Sequence, residues 1–366
     1  MANRSFTKAP IIQDPQQSAQ IVGLRYVNDE MPGIRRRKVG KTFRYVDAAG
    51  KVIREARQKE RIKSLAIPPA WEEVWICPSE NGHLQATGRD DRGRKQHLYH
   101  ARWREVRDET KFNRLIPFAK ALSRIRRRIR KDMALPGLPR NKVLATVVRL
   151  LEVSLIRIGN EEYARDNRSF GLTTMRSNHV AISGATLRFQ FRGKSGKHHT
   201  VDVNDRRLAR IVKNCQAIPG QDLFQYLDEE EKRQGVDSGA VNEYLREISG
   251  EDFTAKDFRT WAGTVLTAQA LRGFKPFDSP AQAKQNIVEA VKTAAKRLGN
   301  TPAICRKCYV HPAVLDAYLE GSLARTLEPR AEHQTNHARG KLRSEEAAVL
   351  ALLGRRRSVK GRRRPL

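Results

Sequence analysis

Cys305-Arg306-Lys307-Cys308, with His311 three residues further on, has the spacing of a zinc knuckle. No second cysteine pair lies nearby, so the spacing is a weak metal signal, and the sequence leaves any redox role of Cys305 and Cys308 open. Asp228-Glu229-Glu230-Glu231 is contiguous, which on a helix spreads charge around the axis, and it reads as solvated surface. No tight Asp/Glu pair or His-x-His-Asp cluster resembles a two-metal nuclease site, and no Gly-x4-Gly-Lys-Ser/Thr provides a P-loop for ATP. Phosphate chemistry in this chain therefore calls for cationic side chains in place of metals. Metal-free phosphodiester transfer needs an oxygen nucleophile, a proton donor for the leaving alkoxide, and fixed positive charge at the non-bridging oxygens. Arg offers a permanent fork-shaped cation. Lys, with an ordinary pKa of about 10.4, is protonated at neutral pH and can deliver a proton. Tyr can attack phosphorus, and the resulting diester stores the energy of the broken bond, so that resealing needs no ATP.

The charge balance agrees with a phosphate-rich partner. Seventy-one Lys and Arg against forty Asp and Glu leave 71 − 40 = +31, with a pI near 10.6. The final stretch Arg355–Leu366 holds seven basic and no acidic residues, which leaves +24 on the other 354. The folded part must itself present a basic face, with further concentrations at Arg35–Lys38 and Arg124–Lys131. A structural chromatin or ribosomal protein would carry similar charge. No apolar run approaches the roughly eighteen residues of a membrane span, and the start Met-Ala-Asn-Arg-Ser-Phe lacks a signal-peptide core. Four cysteines are too few for a disulfide scaffold in a chain of 366. These features lead to the expectation of a soluble cytoplasmic protein acting on nucleic acid.

The elements that must position any such chemistry fall into an α+β arrangement. Residues 1–97 read as a small β-rich domain, with a hairpin pairing 42–46 to 51–53, a helix over 54–66, strands at 71–77 and 83–87, and a polar loop over 88–95. Residues 98–330 read as a mainly helical domain. Its helix over 142–158 has a broad apolar face, and strands at 186–191 and 200–203 form a β-hairpin whose tip is Gly193-Lys194-Ser195-Gly196. Thr254-Ala255-Lys256-Asp257 matches a capping box and sets Arg259 in the first turns of its helix. Asn300-Thr301-Pro302 is a second helix start, with Thr301 as cap. Residues 331–366 read as a basic, partly disordered tail.

Four segments, in order, resemble the active-site blocks of type IB DNA topoisomerases. Arg157-Ile158-Gly159-Asn160 with Tyr163, Phe170–Thr174 and Asn178-His179-Val180 resembles the first block. Phe191-Arg192-Gly193-Lys194-Ser195-Gly196-Lys197 is similar to the lysine hairpin, and Lys256-Asp257-Phe258-Arg259-Thr260-Trp261 to the second arginine block. Leu298–Ala303 through Arg306–Pro312 resembles the nucleophile block. Leu84–Asp90 and Gly93–Gln96 are similar to the small bacterial and poxvirus-like branch, and the likeness runs from about residue 20 to 315.

The resemblance implies a tyrosine-recombinase/topoisomerase-IB-like catalytic domain and an N-terminal domain that closes with it as a clamp around duplex DNA. Tyr309 would form a bond to a 3′-phosphate, Arg157 and Arg259 would hold the phosphate oxygens, and Lys194 would protonate the 5′-oxygen. Asn300 stands where poxvirus-like enzymes have histidine; it can donate a hydrogen bond but cannot act as an acid. Tyr163, Lys256, Gln85, Arg89 and Lys95 match DNA contacts. No cofactor and no metal are implied, and the protein would be a nucleoid-associated monomer. Two rivals remain. Site-specific tyrosine recombinases share this chemistry, but their second block reads His-x-x-Arg where this chain has Lys256. A non-catalytic DNA-coating protein would not need all four blocks intact.

Overall fold

A computed structural model describes residues 14–40, 42–91, 93–324 and 342–362. The chain divides into two compact units, Met1–Asn113 and Arg114–Leu366; residue 97 lies inside a strand of the first.

Among the described residues the first unit is a five-stranded antiparallel sheet with three helices. In chain order these are α1 (Pro15–Ile21), β1 (Ile34–Val39), β2 (Thr42–Val46), α2 (Ala56–Ser64), β3 (Glu72–Ile76), β4 (Leu84–Arg89), β5 (Lys95–Tyr99) and α3 (Ala101–Asn113). The sheet order is β2-β1-β3-β4-β5. β2 takes β1 as its ladder partner, with Arg36 opposite Tyr45. The expected return of 51–53 is a short antiparallel contact at Val46–Val52, with Ile53 N–H donating to the Tyr45 carbonyl and Asp47 N–H to the Lys51 carbonyl, both at 2.9 Å. The run Arg35–Lys38 reads as solvated charge, yet Arg36 is structural. Its guanidinium stacks 4.2 Å from the Phe43 centroid and donates to the carbonyls of Pro68 and Trp71. The expected loop over 88–95 is a tight turn joining β4 to β5. Ile34, Ile62, Val74, Ile76 and Ala86 fill one core, while Trp75, Cys77 and Leu84 fill the opposite face. β4 is therefore buried on both faces from Leu84 to Gly88.

The second unit contains α4 (Leu115–Asp132), α5 (Arg140–Ser154), α6 (Glu161–Asn167), β6 (Val180–Ser183), β7 (Thr186–Arg192), β8 (His198–Asn204), α7 (Arg206–Ala217), β9 (Gln225–Leu227), β10 (Arg233–Gly235), α8 (Ser238–Ser249), α9 (Ala255–Arg272), α10 (Pro280–Leu298), α11 (Pro302–Tyr309), α12 (Pro312–Leu319) and α13 (Ser344–Arg362). Asp228–Glu231 turns between β9 and β10 and is not helical. α5, buried along nearly its whole length, ends four residues earlier than its apolar pattern predicts. Leu155 adopts a left-handed conformation at φ 58°, and Ser154 Oγ donates back to Leu150 and accepts from the Ile156 N–H.

The expected tail over 331–366 holds a packed helix over much of its length; residues 331–341 and 363–366 lie outside those described. Net charge masks an apolar stripe there, Val349, Leu352 and Leu353, all buried at helical spacing. α13 is fastened by a buried ion cluster. Arg126 on α4 makes a two-pronged contact with Glu346 at 2.7 and 2.8 Å and donates to Glu152 on α5 at 2.6 Å; Arg149 pairs with the other Glu152 oxygen. Burial pushes the Glu152 carboxyl up, but Arg126 and Arg149 overcome that and hold it below its ordinary 4.5. The stability it contributes is complete above that ordinary value and is lost as pH falls through the lowered one. Removing one carboxylate leaves a buried cation short of a partner. Glu346→Ala is therefore expected to cost about 3 kcal/mol, read as a lower urea midpoint at unchanged slope. A midpoint equal to the parent's would show that α13 is not held this way.

Candidate active site

Arg157 sits three residues beyond the end of α5, in an extended segment held backbone to backbone against 171–173. Its carbonyl accepts from Leu172 N–H at 2.8 Å, and the Ile158 carbonyl accepts from Thr173 N–H at 2.6 Å. A Cβ on Gly171 would lie 2.5 Å from Gly159 N, so glycine is what lets these backbones meet. From this segment the Arg157 guanidinium donates to Asn300 Oδ1.

Asn300 follows the left-handed Gly299 (φ 62°) that ends α10, and its N–H returns to the Ala295 carbonyl at 3.0 Å. Thr301 then caps α11 as predicted, with Pro302 in its first turn, and Tyr309 is that helix's last residue. α9 starts where the Thr254–Asp257 pair predicts, with the Asp257 carboxylate accepting from the Thr254 N–H at 2.8 Å. One turn along, Arg259 is 4% exposed. Its guanidinium donates to the Leu155 carbonyl at the end of α5 and to the Leu298 carbonyl at the end of α10, the latter at 2.8 Å. The electronegative C-termini of two helices thus stabilise a buried cation. Burial lowers its proton affinity, Tyr309 raises it and Arg157 lowers it again; an arginine remains charged throughout.

Tyr309 lies directly under that cation, its ring centroid 5.2 Å from the Arg259 guanidinium carbon. α9 also grips the tyrosine's backbone. Thr264 Oγ1 donates to the Tyr309 carbonyl at 3.2 Å and accepts from His311 N–H at 3.1 Å. A Cβ on Gly263 would come within 2.7 Å of the Tyr309 carbonyl oxygen and 2.8 Å of its Cβ. Arg259 and Gly263 are four residues apart and share one face, so a single helix seats the cation above the ring and leaves room for the backbone below. Gly263→Ala must push the tyrosine aside. Its strand-cleavage rate is expected to fall on the order of 100-fold, with DNA affinity, read by filter binding, unchanged; an unaffected rate would show that the close approach does not set the tyrosine's position.

Lys194 stands exposed at the tip of the β7–β8 hairpin, in a short turn over Lys194–Gly196 closed by Gly193 N–H to the Lys197 carbonyl at 2.7 Å. The hairpin is tied to the segment after α6 by Phe170 N–H to the Arg192 carbonyl at 2.8 Å. Sequence reasoning passed over one further residue at this centre, His199 on β8, which lies against both Gly193 and Gly299. Its signal was a second histidine directly after the hairpin motif. Gly263 and Thr264, one helical turn past Arg259, were passed over as well, since only their contacts with the Tyr309 backbone mark them.

The structure brings Arg157 to Asn300 and Arg259 to Tyr309, with the lysine hairpin meeting the turn before Asn300 through His199. Two donors in this group, Arg259 Nε and Asn300 Nδ2, are buried and have no acceptor among the described residues. The residues expected to touch DNA divide differently. Tyr163 on α6 and Lys256 at the start of α9 are exposed. Arg89 and Lys95 are half-exposed and paired with Glu73 and Asp29 at 2.8 and 2.7 Å; such pairs exchange partners at little cost. Gln85 is corrected. It is 4% exposed on the doubly buried β4, its amide donating to carbonyls of the 79–82 turn and accepting from Arg61. With every polar atom used, it shapes a turn and has nothing left for a phosphate.

Cys305 is buried, and burial pushes its thiol up to about 11, so it is a packing residue. Among the described residues no three His, Cys, Asp or Glu side chains are grouped as metal ligands, and no helix is long and apolar enough to cross a membrane.

Residues 100–335 match the family model of the eukaryotic DNA topoisomerase I catalytic core, and residues 42–90 match that of the bacterial DNA topoisomerase IB N-terminal domain. The chain belongs to the type IB DNA topoisomerases, isomerases that act on DNA. It is 33% identical over 295 residues to DNA topoisomerase 1B of Acanthamoeba polyphaga mimivirus, covering 79% of this chain and 88% of the relative. DNA topoisomerase 1B of vaccinia virus (strain Copenhagen) is 25% identical over 256 residues, covering 67% and 74%, and DNA topoisomerase I of monkeypox virus is 24% identical over 253 residues, covering the same shares.

Proposed function

We propose that Tyr309 is the nucleophile, Arg157, Arg259 and Asn300 the oxyanion donors, and Lys194 the general acid of this topoisomerase. Tyr309 Oη loses its proton to solvent and attacks the scissile phosphorus, the bond to the 5′-oxygen breaks, and Lys194 passes its proton to that oxygen. The freed 5′ end rotates about the intact strand. Its hydroxyl then attacks the phosphotyrosine, re-forming the diester and releasing Tyr309. On resealing the 5′-hydroxyl returns a proton to Lys194, and the departing Tyr309 oxygen takes one from solvent. Energy is conserved in the protein–DNA bond, so neither ATP nor a metal is required.

The observation that carries this reading is the pair of buried donors without an acceptor among the described residues, Arg259 Nε beside Tyr309 and Asn300 Nδ2 beside Arg157. A buried donor without an acceptor costs on the order of 1–3 kcal/mol, and phosphoryl oxygens placed there would supply the acceptors. Asn300 accepts from Arg157 through Oδ1, which leaves its amide N–H as the phosphate contact. Tyr163 and Lys256 on the second unit and Arg89 and Lys95 on the first form the outlying DNA contacts. The protein works as a monomer on nucleoid DNA in the cytoplasm.

Relaxation of negatively supercoiled plasmids of unrelated sequence, in chelator and without ATP, is the test. Relaxation of every plasmid, with affinity falling steeply as salt rises, supports the reading. Reaction only between paired recognition sites would make the protein a recombinase.

A further inference from the structure

The His199 imidazole fills a slot between two glycines, each of which immediately precedes a proposed catalytic residue. A Cβ on Gly193, just before Lys194, would meet His199 Cδ2 at 2.6 Å and Nε2 at 2.8 Å. A Cβ on Gly299, just before Asn300, would meet Cε1 at 2.8 Å and Nδ1 at 3.3 Å. The ring therefore touches the backbone of the lysine hairpin on one side and of the Asn300 turn on the other. It is steadied by stacking on Phe191, with centroids 5.3 Å apart and planes 23° apart. Gly193 has φ −99° and ψ −166°, an extended conformation open to any residue. What its missing side chain provides is room for the imidazole.

We propose that His199 is a positioning residue, a flat wedge that sets the lysine hairpin at a fixed distance from the Asn300–Arg157 pair and so delivers Lys194 to the leaving oxygen. The inference rests on the reading of Lys194 as the general acid.

The chemistry of the wedge suits that task. Burial lowers the imidazole's proton affinity, and Arg157, Lys197, Arg259 and His198 lower it further. The ring is neutral at pH 7 and adds contact without adding a cation to those gathered for the phosphate. A Lys or Arg here would compete for the same oxygens, and a small residue would let a two-stranded hairpin with an exposed tip drift. Misplacing a catalytic group by about 1 Å can cost on the order of 100-fold.

Two paired measurements test the wedge. The first compares cleavage of an ordinary phosphodiester with that of the same strand carrying sulfur at the bridging 5′ position, whose leaving thiolate needs no proton donor. His199→Ala is expected to cleave the ordinary strand about 10- to 100-fold more slowly than the parent, and the sulfur strand at nearly the parent rate. Equal losses on both strands would overturn the wedge, since general damage to the fold or the phosphate cradle slows both alike. Lys194→Ala must show the same rescue by sulfur. If it does not, the acid assignment falls and the inference with it, an outcome distinct from equal losses in His199→Ala alone. The second measurement is a double-mutant cycle. Gly193→Ala drives a methyl into the ring and should slow the ordinary strand, whereas Gly193→Ala/His199→Ala should be no slower than His199→Ala, because removing the ring makes the room. Losses that multiply would show that the ring and the glycine act independently and would overturn the proposal.

Discussion

Tyr309→Phe is expected to abolish relaxation, with strand cleavage reduced by at least about 10⁴-fold, the scale on which loss of an attacking group is felt. The substitution removes one oxygen and little else. The ring keeps its place 5.2 Å from the Arg259 guanidinium carbon, and the backbone keeps its hydrogen bond from Thr264. Folding and DNA affinity should therefore match the parent, which separates loss of the nucleophile from loss of the site. Each is measured on the same preparation, by thermal unfolding and by filter binding.

Arg259→Ala carries the second large effect. One preorganised donor to a developing oxyanion is worth on the order of 100-fold or more in rate, and Arg259 is the most deeply buried cation in the proposed cradle. Its position is fixed by the carbonyls that close two helices, Leu155 and Leu298. The alanine variant loses the cation and leaves both carbonyls without their donor, so a modest fall in stability accompanies the fall in rate. Arg259→Lys separates the two consequences. An ammonium restores charge but has no fork with which to hold two carbonyls and reach a phosphate together. It should recover stability more than rate. A loss below about tenfold in the alanine variant would remove Arg259 from the oxyanion donors.

Much of the site could be read in the sequence because its residues lie beside strong local signals. Thr254 and Asp257 announce the start of α9 and so the place of Arg259; Thr301 and Pro302 announce α11 and so the place of Tyr309; a glycine-rich turn between alternating strands announces the tip that bears Lys194. What lay beyond reach depends on contacts between distant segments. The apolar pattern carries α5 through Ile158, but Leu155 turns left-handed because its carbonyl has a partner 104 residues away in Arg259. His199 looks like an ordinary strand residue until Gly193 and Gly299 are seen on either side of it. Gln85 lies in a motif that resembles a DNA-contacting stretch, and only the double burial of β4 shows that it faces a turn. α13 was hidden by its own charge, since seven basic residues at the end of the chain outweigh three buried apolar ones in composition but not in packing energy.

The fold supplies three of the five proposed catalytic groups from places where helices end. Arg157 follows the end of α5, Asn300 follows the end of α10, and Tyr309 closes α11. Chain termini of helices are rigid enough to hold a side chain and free enough to aim it inward. The basic surface has a separate task. In the proposed mechanism Arg157, Lys194 and Arg259 govern rate, and the other Lys and Arg side chains among the seventy-one contribute to affinity and its salt dependence.

The most direct measurement of the central claim is the covalent adduct itself. A duplex labelled on the cleaved strand is mixed with the protein in chelator and without nucleotide, the reaction is stopped with denaturant, and the protein-linked DNA is digested and mapped. The account predicts a single peptide joined through Tyr309 to a 3′-phosphate, with a free 5′-hydroxyl on the other fragment and no adduct from Tyr309→Phe. Adduct through another residue, or undiminished adduct in Tyr309→Phe, would contradict it.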